Sequence, residues 1–287
     1  MGIAEVSVLA PGLYFVATPI GTARDITLRA LDVLASAEVI AAEDTRSMRR
    51  LMDIHGVKLG DRPLLSYHDR NGPQVRPRLM AELAAGRSVA YASEAGMPLI
   101  ADPGYALSRD AAEAGHMVTC APGASAVTTA LTLGGLPTDR FLFAGFLPNA
   151  SGQRKSALSE LGTVPATLVL YESPKRVGAL LADASGVLGA ARPAAVCREL
   201  TKRFEEVRRG TLGDLAAQYD GETVKGEVVV LIDRAASDEA DESAVKEALV
   251  KALENMRVKD ASESVATATG WPRRKVYQMA LELAGKR

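Results

Sequence analysis

Residues 93–104 read SEAGMPLIADPG, and they follow the apolar run SVAYA at 88–92. An apolar run that breaks into Gly, Pro and carboxylates, then gives way to a helical pattern stopping at Gly115, reads as a strand-to-helix crossover in an α/β sheet. Ligands bind outside the carboxyl ends of the strands in such sheets, so this loop is the first candidate site. Gly96 and Gly104 permit close backbone approach, while Pro98 and Pro103 stiffen the loop. Glu94 and Asp102 place two carboxylates on it. Turn chemistry alone also accounts for Gly, Pro and Asp in such a loop.

Outward from this loop the same alternation continues. Apolar runs predict strands over 13–17, 39–42, 64–67 and 117–120, and further ones over 141–146, 167–171, 194–197, 204–208 and 228–232, with helical patterns between most of them. Strands alternating with helices imply βαβ units and largely parallel sheets. Ten strands are many for one sheet, so two α/β domains are expected, over residues 1–121 and 122–234. Residues 235–243 turn acidic and lose apolar periodicity, as a linker does. Residues 244–287 then hold three short helical segments with helix-turn-helix spacing. Gly270 stops the second and Pro272 opens the third, which carries Arg273, Arg274 and Lys275 in its first turn. The chain ends in Lys286-Arg287. This unit reads equally as a nucleic-acid contact or as a packing appendage.

The totals narrow the class. The chain has 287 residues, 47% hydrophobic and 24% charged, which is a globular composition. A net charge of −1 gives no overall field for polyanions, although a local basic patch remains open. Cys120 and Cys197 lie in apolar runs and read as buried thiols of a reducing compartment. No signal-peptide pattern and no segment long enough to cross a bilayer is visible, so no membrane association is expected and the compartment is the cytoplasm.

Several chemistries are excluded. No two glycines are separated by a single residue, which removes the G-x-G-x-x-G dinucleotide fingerprint. G-x-x-x-x-G-K-[ST] is absent, and Gly123-Ala-Ser125 lacks the second glycine of a nucleophile elbow. His55, His68 and His116 with the two cysteines make no metal-ligand spacing. His68 stands apart, because it ends a strand beside Asp69, Arg70 and Asn71.

The motifs then become specific. LYFVATPIGTARDIT (13–27), AEDTR (42–46), SEAGMPLIADPG (93–104), APGASAVTTAL (121–131), GLPTDRFLFAGFLP (135–148), YESPKRV (171–177), RELTKRFEE (198–206) and KGE (225–227) occur in order. Together they resemble the small-subunit ribosomal RNA methyltransferase I family, across roughly residues 12–234, and the helical tail is similar to that family's C-terminal extension. Three motifs depart from the family pattern. Glu94 and Met97 stand where S-D-A-G-T-P is usual, Thr22 replaces the Asn of P-I-G-N, and Tyr67-His-Asp-Arg-Asn71 replaces Y-H-E-H-N.

The resemblance implies a two-domain tetrapyrrole-methylase-like α/β fold with S-adenosylmethionine in the cleft between domains. It implies 2′-O-ribose methylation of a cytidine in the decoding region of 16S ribosomal RNA within the small subunit, by a homodimer. The cofactor is then expected against Pro19, Gly21, Ser93, Glu94, Ala95, Gly96, Met97, Ile100, Gly123, Ala124, Ser125, Ala126, Tyr171, Gly226 and Glu227. Candidate acceptor-side groups are Asp44, Arg46, His68, Glu172, Arg198, Glu199 and Lys202. Arg46, Arg198 and Lys202 suit RNA phosphates. Asp44 or Glu199 is the candidate base or its orienter. The plainer alternatives are a helix N-cap for Asp44 and a structural ion pair for Glu199 with Lys202. Two rivals remain: a methylase of small tetrapyrroles, whose usual V-G-x-G-P-G-D loop is missing here, and a non-catalytic RNA-binding or assembly protein.

Overall fold

A computed structural model describes residues 4–101, 103–235 and 242–285. Asp102, most of the expected linker (236–241) and the terminal Lys286-Arg287 lie outside the described residues.

The first sheet is built from β1 (Gly12–Val16), β2 (Val39–Ala42), β3 (Leu64–Ser66), β4 (Ser88–Ala92) and β5 (Val118–Ala121), in the order β3-β2-β4-β1-β5. Every pairing is parallel. Strands buried on both faces read as unbroken apolar runs, which is why β1, β2 and β4 are buried at every position. Helices α1 (Leu28–Ser36) and α2 (Thr45–Ile54) cover one face through Leu31, Leu34, Met48 and Met52. Helices α3 (Gly72–Ala84) and α4 (Tyr105–Glu113) cover the other through Leu79, Leu83 and Leu107. Thr27 caps α1 by accepting from the Ala30 N–H, as its position before Leu28 suggests.

Helix α5 (Ala126–Gly134) leads into a second sheet of β6 (Phe141–Phe146), β7 (Thr167–Glu172), β8 (Pro193–Arg198), β9 (Glu206–Thr211) and β10 (Val228–Ile232). Its order is β6-β7-β10-β8-β9. α5 packs on one face, while α6 (Ser151–Leu161), α7 (Val177–Leu188) and α8 (Leu212–Tyr219) pack on the other. The expectation of largely parallel pairing fails in this sheet. Only β6 and β7 run parallel, and the β7–β10, β10–β8 and β8–β9 pairs are antiparallel. The reason is chain length. Residues 199–205 join β8 to β9, and a parallel return needs a crossover of about a dozen residues or more. The expected strand at 204–208 also begins later, at Glu206, because that connection consumes Phe204 and Glu205.

The tail forms α9 (Glu242–Ala252), α10 (Val258–Thr269) and α11 (Arg273–Ala284) around Val245, Leu249, Val265, Val276 and Ala280. Gly270 takes the left-handed C-cap conformation that its position suggests.

Candidate active site

Strands β1 and β4 are neighbours, but their following helices, α1 and α4, go to opposite faces of the sheet. Two loops diverging from adjacent parallel strands leave a crevice at their carboxyl ends. A short antiparallel bridge braces the two loops. Thr18 N–H donates to Gly96 O at 2.9 Å, and Gly96 N–H donates back to Thr18 O at 3.0 Å. Gly96 is left-handed at φ 79°, and a Cβ there would press on Ile20 Cγ2 at 3.3 Å. Leu99 and Ala101 also hold positive φ, of 69° and 60°. Non-glycine residues in that region store strain, which concentrates at ligand sites.

The crevice opens into a cleft of about 340 Å³ between the two sheets. Ile20, Ala95, Gly96, Met97, Ile100 and Ala101 line it from the first half. Ser125, Ala126, Phe146, Tyr171 to Pro174, Leu200 and Gly226 to Val229 line it from the second. The lining is mostly apolar, with backbone groups of the glycine loops among it, as small-molecule sites usually are. Ile20 also reaches across to pack with Val127, Leu131 and Leu200, so the first loop is anchored in the second sheet's core.

The connection 199–205 closes the second half of the cleft. Glu199 and Thr201 have φ of 50° and 61°. Glu199 Oε1 accepts from the Glu227 N–H at 3.0 Å and from Lys202 Nζ at 2.8 Å, and Lys202 Nζ also reaches Glu227 Oε2 at 2.9 Å. The Lys202 hydrogen bond, with help from the Glu227 N–H, holds the Glu199 carboxyl below its ordinary value against the opposing pull of burial. Burial pushes the Lys202 ammonium down most strongly as a single effect, but its two carboxylate partners outweigh it and the net shift is upward. Arg198 donates to the Lys225 carbonyl at 3.2 Å and pairs with Glu206 at 3.1 Å. Together these bonds set the backbone of Lys225 to Glu227. Gly226, at φ 90°, has no room for a side chain because Glu199 occupies that space. Across the cleft mouth Thr22 donates to the Thr201 carbonyl and its N–H donates to Thr201 Oγ1 at 3.1 Å, tying the first loop to this connection.

Among the residues expected to hold a cofactor, Ala95, Gly96, Met97, Ile100, Ser125, Ala126, Tyr171, Gly226 and Glu227 line the cleft. The others stand outside its lining. Ser93 is buried behind it, its hydroxyl on Gly96 O at 3.3 Å. Gly123 permits the β5 loop to approach Ala17, where a Cβ would lie at 2.9 Å, and the Ala124 carbonyl faces Gly96. Gly21 packs against Leu200 to Lys202. Pro19 is part-buried, and Glu94 is exposed, its N–H donating to Glu43 Oε2 at 3.1 Å.

The acceptor-side candidates are scattered. Asp44 is the N-cap of α2, accepting from the Arg46 and Ser47 N–H groups, and it also pairs with the Arg46 guanidinium at 3.0 Å. The Arg46 side chain, then the two backbone donors, lowers its pKa to about 2. A carboxylate this acidic is a weak proton acceptor, and its two N–H partners are those of a helix N-cap. Arg46 itself is 91% exposed. His68 lines a separate hollow with Tyr67, Arg76 and Tyr105. Glu172 belongs to the cleft wall, but its side chain is 0% exposed and lies 3.0 Å from Arg176. Its neighbours in β7 alternate between faces, so Tyr171 turns to the α5 side and Glu172 to the α7 side. Sealed there, the Glu172 carboxylate is unavailable to a substrate. Of the lining residues not singled out from the sequence, Ile20, Ala101, Phe146, Ser173, Pro174 and Leu200 fall inside motifs that were, and Val228 and Val229 lie just past one, in β10.

The chain matches the sequence profile described as Tetrapyrrole (Corrin/Porphyrin) Methylases over residues 12–216, and that described as RsmI C-terminal HTH domain over 239–284. It is 45% identical to "Ribosomal RNA small subunit methyltransferase I" of Mesorhizobium japonicum over 276 residues, covering 96% of this chain and 93% of that one. Its identity to the protein of the same name from Halalkalibacterium halodurans is 41%, covering 93% of each. Among solved structures it is similar to uroporphyrin-III C-methyl transferase from Thermus thermophilus complexed with S-adenyl homocysteine, with a TM-score of 0.53 at 19% identity over 77% of this chain and 96% of that one. At that identity the likeness speaks for the fold alone.

Proposed function

We propose that this chain, which belongs to the ribosomal RNA small subunit methyltransferase I family, transfers a methyl group from S-adenosylmethionine to the 2′-hydroxyl of a cytidine in the decoding region of 16S ribosomal RNA. The observation that carries this reading is the similarity to proteins of that name along the α/β body and the helical tail together. A methylase of small tetrapyrroles has no evident use for such a tail.

The cleft fits the cofactor. Its size, its apolar lining and two glycines at positive φ, Gly96 and Gly226, suit an adenosyl group and an aliphatic chain held largely by backbone. A solved neighbour of this fold carries the demethylated product of that cofactor. Held there by Gly96–Met97 and Gly226–Glu227, S-adenosylmethionine would supply an electrophilic methyl carbon to an in-line ribose oxygen, the C–S bond breaking as the C–O bond forms, with S-adenosylhomocysteine as the leaving group and the hydroxyl proton passing to solvent. The protein's own share is positioning, because reactant alignment alone can supply several kcal/mol, about 7–11 in well-ordered cases. Gly96 and Met97 form one wall and Gly226 and Glu227 the other, set at a fixed width by the Thr22–Thr201 tie and the Glu199–Lys202 clamp. Glu199 acts as an orienter of that wall: its oxygen is committed to Glu227 N–H and Lys202. Arg46, exposed at the first sheet's carboxyl edge, is a group for RNA phosphates. In the tail, Lys259, Arg273 and Arg274 line a shallow hollow with Tyr277 and Glu263, which pairs with Arg273; Lys259 and Arg274 are the cations there for a phosphate backbone.

Residues 1–121 and 122–234 serve as two domains holding the cofactor between them, and 244–287 as the appended RNA-contacting unit. The reading includes a homodimer, the small ribosomal subunit as substrate and a cytoplasmic setting. No helix among the described residues is long and apolar enough to cross a membrane. The test supplies labelled S-adenosylmethionine with small ribosomal subunits, naked RNA or a porphyrinogen. Label on subunit RNA is expected. Label on the porphyrinogen, or no transfer to any acceptor, contradicts the reading.

A further inference from the structure

Phe146 is the cleft residue whose exposure is hardest to explain by packing. It ends β6, an edge strand of the second sheet, and it lines the cleft with 58% of its surface open. Burial of a phenylalanine side chain is strongly favourable, so a ring left this open at a cleft mouth forgoes much of that gain.

Its direction is set by an irregularity. Phe143 pairs with Val169 and Gly145 with Leu170, so Ala144 is an extra residue in the ladder, and Phe146 comes opposite Tyr171. In an uninterrupted register Phe146 would come opposite Glu172 and point to the α7 face. A one-residue insertion sends every later side chain to the other face. Gly145, at φ 63°, supplies the left-handed backbone that the bulge uses. The bulge therefore turns Phe146 from the covered side of the sheet to the cleft. There Tyr171 meets it edge-on, with centroids 5.7 Å apart and planes at 68°, and Phe143 meets Tyr171 in turn at 4.9 Å. The ring is thus braced along one edge by a stack of aromatics while much of its surface stays open.

We infer that Phe146 is a stacking platform for the acceptor nucleobase, which must leave its RNA stack for the ribose hydroxyl to reach the cleft. The inference rests on the RNA methyltransferase reading above and adds to it a positioning residue on the acceptor side. An aromatic face suits any base, so Phe146 positions the nucleotide and does not choose it. This also explains how a cleft whose two lining carboxylates are sealed (Glu172) or paired with Lys202 (Glu227) can hold an uncharged base: by surface contact with a rigid ring.

The test compares F146A, F146L, F146Y and F146W in the full chain, acting on small ribosomal subunits that lack ribose methylation. F146A is expected to raise KM for subunits by about fivefold to about 150-fold, the range of base–aromatic stacking. S-adenosylmethionine affinity, measured directly by calorimetry, stays within about twofold. F146Y and F146W restore KM, and F146L does not. The inference is overturned if F146A leaves KM unchanged, if F146L restores it as fully as F146W, or if cofactor affinity falls in parallel, which would put the ring on the cofactor instead. A wild-type chain that labels no subunit RNA removes the parent reading and this one with it. An active wild type with an unimpaired F146A removes this one alone.

Discussion

Gly21→Ala is the most informative single substitution for the architecture of the cleft. A Cβ built at Gly21 would lie 2.5 Å from Lys202 Cγ, 2.6 Å from Thr201 Oγ1 and 2.9 Å from the Leu200 carbonyl oxygen. The lysine stem can swing aside, but the carbonyl belongs to a backbone already held at positive φ on both sides, at Glu199 and Thr201. Ordinary contact therefore requires the connection 199–205 to retreat by roughly half an ångström or more, and overpacking of that kind costs about 1–3 kcal/mol. In urea, at a slope of about 3 kcal/mol/M, the midpoint should fall by roughly 0.3–1 M. Because Leu200 lines the cleft and Thr201 is tied to Thr22, cofactor affinity should fall with it. Gly152→Ala is the control: open space surrounds that helical glycine, and the change should stabilise by up to about 1 kcal/mol. A G21A protein as stable as wild type would refute the close approach of the two halves. One that loses cofactor affinity alone would move Gly21 from the lobe contact to the ligand itself.

Other consequences are as direct. Asp44→Asn preserves an N-cap, so methyl transfer should persist with an unchanged pH profile; loss of turnover with cofactor still bound would restore Asp44 as the base. Because the folded Asp44 titrates at about 2, below its ordinary value, its stabilising effect is complete above about pH 4 and vanishes as pH falls through 2, and unfolding curves of D44N should lack that dependence. Glu199→Ala frees the Glu227 N–H and leaves Lys202 with Glu227 alone, and cofactor affinity should weaken roughly threefold to thirtyfold by calorimetry. The Glu199 carboxyl is held below its ordinary range, so this clamp persists through neutral pH and releases only in acid, as pH falls through the lowered value. Burial raises the Cys197 thiol to about 11 and shifts Cys120 in the same direction. Both should resist a thiol reagent at pH 8 in the native protein and react rapidly in guanidinium; fast native labelling of Cys197 would contradict its burial.

Much of the fold is legible in the sequence because its grammar is local. Parallel strands buried on both faces must be apolar throughout, and Gly56, Gly86, Gly115 and Gly270 sit at positive φ just past the helices they close. Pairing direction is not written that way. β10 enters between β7 and β8 as an antiparallel strand, and nothing in VVVLI distinguishes that from a parallel neighbour. The cleft loops were legible as motifs, whereas side-chain roles depended on tertiary facts. Glu172 and Tyr171 are adjacent in the motif, yet strand alternation seals one and turns the other to the cleft. Phe146 lies in GLPTDRFLFAGFLP, but its face is decided by the bulge at Ala144, for which Gly145 is the one local hint. Thr22 departs from the family's asparagine and still makes the tie to Thr201, through both its N–H and its hydroxyl. Asp44 and the Glu199–Lys202 pair each carried a plain structural reading beside a chemical one; the cap bonds of Asp44 and the Glu199–Lys202 ion pair are both present, and the turnover of variants at these positions decides the chemical roles.

In the proposed reaction the cleft between the sheets directs a methyl group to a ribose of small-subunit RNA. Subunits labelled by this chain with S-adenosylmethionine, digested to nucleosides and resolved by mass spectrometry, test it most directly. The expected product is labelled 2′-O-methylcytidine and no other labelled nucleoside. Label on a base carbon or nitrogen, or spread over many nucleosides, would contradict it.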